Sequence, residues 1–254
     1  MNNVNKEVQK LYLTKKYYFK LNRSSNYKFS ENYWGLIKDP DGKKRNRLSV
    51  LEKNNHVKDT KYISKFINAY FRNKNFLDIG CGLGYFLSSI KSEKKYLYGT
   101  ELDDFAVKKA SKYGKIFKGK LKKINFKKNF FDVILMHHVI EHLKKPEDDI
   151  VIIKKILKKN GFLIIATPDF DSGAARLFKN KYRLLNDKTH VSLFSNDSMH
   201  RFLRDNNFEI LKVEYPFFDT RFFSKKNLIN LLNKKIKVSP PFYGNYMTFF
   251  CKKI

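Results

Sequence analysis

The feature that most constrains the fold is a glycine-rich turn directly after a short apolar segment. Residues 76–84 read FLDIGCGLG, which places glycines at positions 80, 82 and 84. Because glycine has no side chain, the backbone can turn sharply there and approach a bound molecule closely. An apolar strand that ends in such a turn is typical of nucleotide-binding α/β proteins. The pattern therefore predicts a ligand site at the carboxyl end of this strand.

The segments around this turn alternate between strand and helix patterns. Strands are predicted at 76–79, 96–102, near 116–117, and at 132–136, 162–167, 208–213 and 246–251. Helices are predicted at 59–72, 85–92 and 105–112, from Pro146 to a stop at Gly161, and after the cap residue Ser195. Regular alternation of strands and helices predicts a parallel sheet with helices on both faces.

Two segments fall outside this alternation. Residues 1–58 are polar and weakly periodic, and we predict an N-terminal arm or cap there, followed by the main domain at 59–254. Residues 168–194 follow the fifth strand and are longer than an ordinary connection. Long connections at the carboxyl edge of a sheet often act as lids, so this segment is predicted to be a lid that contacts a substrate.

The formal net charge of +29 favours anionic partners such as nucleic acid. However, only 9 of the 53 basic residues are arginine, and proteins that read bases rely strongly on arginine. Asn, Ile, Phe and Tyr are also abundant, which is what an AT-rich genome imposes through its codons. We therefore interpret the charge mainly as codon bias, and a nucleic-acid partner is the less favoured alternative.

No apolar run approaches the roughly 18 residues of a membrane-spanning helix, and residues 1–25 lack the apolar core of a signal peptide. The sequence thus predicts a cytoplasmic protein without a membrane span. The two cysteines, Cys81 and Cys251, are too few for a disulfide scaffold or a zinc site.

Two acidic residues complete the pattern around the glycines. Asp78 lies in the end of the first strand, and Glu101 ends the second strand about twenty residues after the turn, where a carboxylate can accept both ribose hydroxyls. The motif D-x-G-C-G-x-G also differs from the G-x-G-x-x-G of dinucleotide enzymes. Over residues 60–215 the chain resembles the class I S-adenosylmethionine-dependent methyltransferases. It is most similar to the branch with ubiquinone-biosynthesis O-methyltransferases and many sugar and small-molecule methyltransferases, through 131–134, 138–143, Pro146 and 160–163.

This resemblance implies a fold, a cofactor and a cofactor site. The implied fold is a Rossmann-like α/β domain with a seven-stranded, mostly parallel sheet, helices on both faces and an antiparallel last strand. The implied cofactor is S-adenosylmethionine, with Glu101 at its ribose. The residues assigned to the rest of the cofactor site are Asp78, Gly80, Cys81, Gly82, Gly84 and His137. Relatives often have an acid near the adenine, but 119–121 read GKL, so backbone groups are expected to serve instead.

Histidines cluster after the fourth strand, and three interpretations stay open for them. They are structural, one of them is a general base, or they bind a metal through His138, Glu141, His142 and His190. Relatives that bind a divalent ion carry Glu-x-x-Glu-His, whereas His138 replaces the first Glu here, so no metal is assigned. A base needs a neutral imidazole near a substrate hydroxyl, and His138 and His190 are the assigned catalytic residues.

The predicted lid carries charged residues that are candidates for binding the methyl acceptor. We assign Asp169, Asp171 and Arg183 to this role; alternatively, Arg183 and Asp187 form a solvated pair that only holds the loop. The function predicted is O-methylation of a sugar or another small polar metabolite. The alternatives are RNA 2′-O-methylation and a non-catalytic module that binds nucleic acid or a protein partner. The sequence names neither the acceptor nor the oligomeric state.

Overall fold

The computed structural model describes residues 4–23, 33–39, 42–233 and 235–254. Its helices are α1 (Val4–Gln9), α2 (Val50–Asp59), α3 (Lys61–Tyr70), α4 (Asp104–Ala110), α5 (Pro146–Ile156), α6 (Gly173–Phe178), α7 (Asn196–Asp205) and α8 (Lys225–Leu232). Its strands are β1 (Phe19–Lys20), β2 (Leu36–Lys38), β3 (Lys44–Asn46), β4 (Phe76–Ile79), β5 (Leu97–Glu101), β6 (Lys115–Lys118), β7 (Phe131–His137), β8 (Leu157–Pro168), β9 (Ser192–Leu193), β10 (Phe208–Glu214) and β11 (Tyr246–Lys253). No helix among these residues is long and apolar enough to cross a bilayer.

Seven strands form the central sheet in the order β10-β11-β8-β7-β4-β5-β6. The pairs β8-β7, β7-β4, β4-β5 and β5-β6 are parallel, whereas β11 is antiparallel to both of its neighbours. The chain adds β5 and β6 on one side of β4 and then crosses to its other side with β7. Ligands of open α/β sheets bind at the carboxyl edge of such a crossing point.

Successive side chains of the central strands point to opposite faces of the sheet, as the pleat requires. On one face, Leu77, Ile134 and Leu163 pack under α5 and α7. On the other face, Phe76 and Val133 pack, with other residues, against α3. The predicted fold class, a Rossmann-like sheet with helices on both faces and an antiparallel last strand, is confirmed.

The helix predicted at 85–92 is reduced to a 3-10 turn at Leu87–Ser89. The hydroxyls of Ser88 and Ser89 donate hydrogen bonds to the carbonyls of Tyr85 and Phe86, 2.7 Å away in both cases. Serine side chains that bond to nearby backbone groups compete with the regular helical pattern. The prediction was therefore wrong in the type of element, although Phe86 and Leu87 are buried as a helix pattern requires.

The helix that begins at Pro146 ends at Ile156, before the predicted stop at Gly161. Leu157 already belongs to β8, where it pairs with Phe131, while the next pair joins Val133 and Phe162. Residues 158–161 thus form an irregularity in the strand, and Asn160 adopts φ 60° there. The apolar residue Leu157 is buried in the strand, so periodicity alone could not separate the two elements.

The predicted lid segment 168–194 folds into α6, two 3-10 turns and β9. Phe170 and Tyr182 are fully buried in a third apolar cluster, which also contains Val8 and Leu11 of the predicted arm. The arm is also joined to this segment by antiparallel pairing of β1 with β9. The two segments therefore pack together beside the sheet; opening and closing of the lid stays a prediction.

Gly84 provides a test of the packing behind the glycine-rich turn. It adopts φ 75°, and a Cβ there would lie 2.9 Å from the Cα of Ala110 in α4 and 2.9 Å from the Tyr113 ring. We expect Gly84→Ala to lower the free energy of unfolding by about 2–4 kcal/mol, because it combines left-handed strain with a backbone clash. Gly173→Ala is the control, since no atom lies within 4 Å of its added Cβ. Equal urea midpoints for the two variants would contradict this account.

Candidate active site

Two adjoining cavities open at the carboxyl edge of the sheet, around the glycine-rich turn. The smaller has a volume of about 170 Å³ and is lined by Asp78 among others, and the larger has a volume of about 530 Å³ and is lined by Glu101 among others. Gly80, Gly82 and Trp34 line both cavities. The structure therefore brings the two predicted acids to one continuous site, and the glycine backbone lies between them.

Glu101 connects the end of β5 to the glycine-rich turn. One carboxylate oxygen accepts a hydrogen bond from the Gly82 amide at 2.9 Å, and the other accepts from the amides of Leu102 at 2.5 Å and Asp103 at 3.2 Å. Burial raises the pKa of Glu101, and these three amides limit the rise because they favour the charged form. The carboxylate thus has a fixed position at the wall of the larger cavity.

Asp78 is only 3% exposed and makes no hydrogen bond or ion pair with the described residues. Burial raises the pKa of its carboxyl group well above the ordinary value, and the charge of Glu101 raises it further. A buried carboxylate without a partner is unfavourable unless a cation reaches it. The smaller cavity is therefore suited to a positively charged group such as an ammonium.

The other residues of the motif have distinct positions. Gly80 adopts φ 72°, and a Cβ there would lie 2.7 Å from a Val139 methyl group. The Cys81 side chain packs against Gly99, and burial raises the pKa of its thiol, so it lines the smaller cavity as an inert group. Gly84 lines neither cavity and instead allows α4 to approach.

Sequence reasoning missed the aromatic and basic residues that the segment before α3 contributes. Trp34 lies over Gly82, and its indole N–H donates to the Asp103 carboxylate at 2.8 Å. The Arg47 guanidinium lies 4.3 Å from the centre of the Tyr33 ring and lines the smaller cavity without an ion pair to any described residue. No periodicity marks these positions, and the only available signal was the single tryptophan of the chain.

An ion-pair network closes the outer side of the smaller cavity. Glu52 of α2 pairs with Arg45 and with Arg221, which also binds Asp59 at 2.5 Å. Burial would raise the pKa of Glu52, but the hydrogen bonds and charges of the two arginines lower it. Because this network neutralises Glu52 and Arg45, Arg47 is the one arginine among the described residues of the smaller cavity that has no ion pair.

His137 and His56 place neutral imidazoles beside Asp78 in the smaller cavity. Their ring centres are 5.7 Å apart, and both residues line the cavity. Burial lowers the pKa of His137 well below its ordinary value and that of His56 to about 4. These rings therefore add no positive charge that would repel a bound cation.

His138 lines the larger cavity and has an oriented imidazole. It follows β7 with φ 57°, a left-handed conformation that is uncommon for residues other than glycine. Its Nδ1 lies 3.2 Å from one carboxylate oxygen of the fully buried Glu141, whose other oxygen accepts from the Thr167 hydroxyl at 3.0 Å. Burial would raise the pKa of Glu141, but the His138 hydrogen bond and nearby histidine charges lower it to about 2.

His190 occupies a different environment from His138. It is 6% exposed, its Nδ1 lies 2.6 Å from the Leu184 carbonyl oxygen, and burial lowers its pKa. Ligand atoms of Glu141, His142 and His190 lie within 4.8 Å of one another, so these three could hold a metal ion. His138 is outside that group, and no α-helix starts at His138, because residues 140–142 form a 3-10 turn.

The three residues assigned to acceptor binding lie outside both cavity walls. Asp169 accepts from the Asp171 amide, and burial raises its pKa to about 6, while Asp171 pairs with Arg176 at 2.6 Å. Arg183 is 9% exposed. The alternative pair of Arg183 with Asp187 is not formed, because the Asp187 carboxylate lies near Thr189 and His190 instead.

Comparisons with known proteins identify the family of this chain. Residues 52–213 match the methyltransferase-domain family. A ubiquinone biosynthesis O-methyltransferase of Pelagibacter ubique is 32% identical over 155 residues, which are 55% of this chain and 61% of that protein. The chain therefore spans less than two thirds of that relative.

Solved structures share the fold at low sequence identity. A methyltransferase of Thermotoga maritima, described as S-adenosylmethionine-dependent and as a possible histamine N-methyltransferase, superposes with a TM-score of 0.55 at 22% identity over 81% of this chain and 96% of its own. Magnesium protoporphyrin IX methyltransferase of Synechocystis, solved with bound S-adenosylhomocysteine, superposes with a TM-score of 0.57 at 14% identity. The match covers 83% of this chain and 90% of that protein. With a family match over more than half of its length, the chain belongs to the methyltransferase-domain family and is a class I S-adenosylmethionine-dependent methyltransferase.

Proposed function

We propose that this methyltransferase methylates a hydroxyl group of a sugar or another small polar metabolite, with His138 as the general base. The observation that carries the proposal is the His138–Glu141 pair at the wall of the larger cavity, beside the glycine-rich turn. A hydroxyl must lose its proton during methyl transfer, and an oriented imidazole is the usual group for this task. His190, the second predicted base, is assigned to positioning because it is buried against Leu184.

The two cavities fit the parts of S-adenosylmethionine. Asp78 would hold the amino group of the methionine moiety and Arg47 its carboxylate, because among the described lining residues these two carry charges without an ion pair. Glu101 would accept the ribose hydroxyls, which have room in the larger cavity. The adenine would lie against residues 119–121, where backbone groups replace the acid of relatives.

When bound, the cofactor supplies a methyl group on a positively charged sulfur, which an aligned nucleophile can attack. Positioning of donor and acceptor supplies most of the acceleration in such a reaction. Neutral His137 and His56 line the smaller cavity and would not repel that charge, since burial keeps their pKa values low. Trp34 covers the turn and limits access of water to the donor side.

Glu141 determines what His138 can do. Its low pKa, about 2, keeps the carboxylate charged, so His138 donates its Nδ1–H to it. The Nε2 of His138 then carries the lone pair and can take the hydroxyl proton of an acceptor. As methyl transfer proceeds, the charge of Glu141 stabilises the imidazolium that forms, as in other carboxylate–histidine pairs.

RNA 2′-O-methylation is the second candidate, and one observation favours it. Four lysines line the larger cavity, and they would attract a phosphate backbone: Lys120, Lys122, Lys144 and Lys145. Incubation with labelled S-adenosylmethionine and an extract of the source organism separates the candidates. Label in small metabolites supports the proposal, label in RNA supports the second candidate, and binding of RNA without any label supports a non-catalytic module.

The cofactor site is tested by removing one charge at a time. We expect Asp78→Asn and Glu101→Gln each to weaken binding of S-adenosylhomocysteine by on the order of 100-fold, because each removes a charged hydrogen-bond partner. Titration calorimetry measures this. Glu93→Gln is the control, because Glu93 pairs with Lys95 on the surface. Wild-type affinity in both test variants would remove the site assignment.

The base is tested by comparing binding with turnover. His138→Gln should lower kcat by roughly 100- to 10,000-fold, the usual contribution of a general base, while affinity for S-adenosylhomocysteine stays within about twofold. Glu141→Gln should give a smaller loss in the same direction. His200→Gln is the control, since His200 lies on α7 and bonds to the Asn196 carbonyl. A variant at His138 with unchanged kcat would show that the acceptor needs no base there.

A further inference from the structure

Arg183 carries a charge that nothing in the described chain compensates. It is 9% exposed, its Nη1 is buried without a hydrogen-bond partner, and its guanidinium forms no ion pair with a described residue. A buried charge normally has a partner, because removal from water is costly. By contrast, the half-buried Arg221 pairs with two carboxylates. The Arg183 guanidinium is therefore available to bind an anion.

Asn245, directly before β11, is a second buried polar residue whose side chain lacks a described partner. It is fully buried, and neither its side-chain nitrogen nor its side-chain oxygen has a hydrogen-bond partner in the part of the chain that the structure describes. Its backbone is fixed, because its carbonyl accepts from the Asp169 amide at 2.9 Å and from the Tyr182 hydroxyl at 3.4 Å. Since buried amides are nearly always hydrogen-bonded, a free one in a fixed segment indicates a ligand.

Tyr246 connects these two groups to the proposed base. The Tyr182 hydroxyl donates to the Asn245 carbonyl at 3.4 Å, so the turn that carries Arg183 contacts the segment that leads into Tyr246. Burial raises the pKa of the Tyr246 hydroxyl, and the positive charge of Arg183 lowers it. This hydroxyl makes no hydrogen bond to a described residue. The Tyr246 ring also contacts His138 edge to face, with ring centres 4.9 Å apart. Tyr246, the chain neighbour of Asn245, therefore connects this segment to His138.

The position of Arg183 is fixed before any ligand arrives. Its backbone amide donates to the Ser239 hydroxyl at 3.0 Å, and the amide of Ser239 donates to the Lys181 carbonyl at 2.8 Å. His190 holds the same turn through the Leu184 carbonyl. A turn held from two sides places the guanidinium without further ordering, which favours binding.

We propose that Arg183, Asn245 and Tyr246 bind an oxyanion, a carboxylate or a phosphate, on the methyl acceptor. This inference rests on the proposed O-methyltransferase function, and it narrows the acceptor to hydroxyl compounds that carry a negative charge. The planar guanidinium can donate two N–H groups to two oxygens of one such group. The side-chain N–H of Asn245 and the Tyr246 hydroxyl can donate to the same anion, whereas the side-chain oxygen of Asn245 can only accept, for example from a hydroxyl group of the ligand.

The first experiment measures stability with simple anions as probes. Arg183→Met should melt at the same or a higher temperature than the wild type, because removing an unpaired buried charge relieves its desolvation. Acetate or inorganic phosphate, compared with chloride at equal ionic strength, should raise the melting temperature of the wild type more than that of Arg183→Met. Arg204→Met is the control, because Arg204 is exposed near the end of α7 and should respond like the wild type.

The outcomes of this first experiment are distinct. A response to acetate alone indicates a carboxylate acceptor, and a response to phosphate alone indicates a phosphorylated one. Equal responses in the wild type and Arg183→Met would overturn the anion site. A large loss of stability in Arg183→Met without any anion would also overturn it, since Arg183 would then be structural.

The second experiment follows the product. The product labelled from S-adenosylmethionine in an extract fraction should be retained on an anion-exchange column. Arg183→Met should lower the rate at which this product forms on the order of 100-fold. The variant should still bind S-adenosylhomocysteine like the wild type. A labelled but neutral product would overturn the oxyanion and leave methyl transfer intact. An anion response at Arg183 without any labelled product would instead contradict the proposed function.

Discussion

The hydrogen bond between the Glu101 carboxylate and the Gly82 amide is the constraint on which the donor side of the site depends. Parallel strands bring their carboxyl ends to one edge, but they do not fix the loops that leave that edge. Here a side chain at the end of β5 holds the loop that leaves β4. The backbone of Gly80 and Gly82 therefore stays between the two cavities, and Trp34 can lie on a fixed surface.

Charge is distributed asymmetrically across the site. Asp78 and Glu101 lie on the donor side, where burial raises both pKa values and a cation would relieve the cost of their charge. His56 and His137, which line the smaller cavity with Asp78, are neutral because burial lowers their pKa values. On the other side of His138, Arg183 carries a positive charge without an ion pair to a described residue. The site thus offers opposite electrostatic environments to a cationic donor and to an acceptor, with the imidazole of His138 between them.

The sequence predicted the fold class and most strands because these depend on local patterns of apolar residues. Asp78 and Glu101 were predicted because the motif and the strand ends mark them; the structure places both at the cavities, and their binding roles stay predictions. Trp34 was missed as a site residue because its contact with Asp103 spans 69 positions and no periodicity accompanies it. Asn245 was missed because only the absence of partners in three dimensions marks it. The prediction of a helix at 85–92 was wrong because two serine hydroxyls donate hydrogen bonds to backbone carbonyls there. A count of apolar periodicity does not register such bonds.

The antiparallel direction of β11 has a consequence for the order in which the site is assembled. Because β11 runs against its neighbours, its first residues, not its last, arrive at the carboxyl edge, beside His138. The described residues that line the two cavities all precede residue 150 in the chain, whereas Asn245 and Tyr246 are added only with this strand. During translation, a ribosome therefore delivers the residues that line the two cavities well before Asn245 and Tyr246, and a nascent chain cannot complete the proposed anion site until β11 joins the sheet.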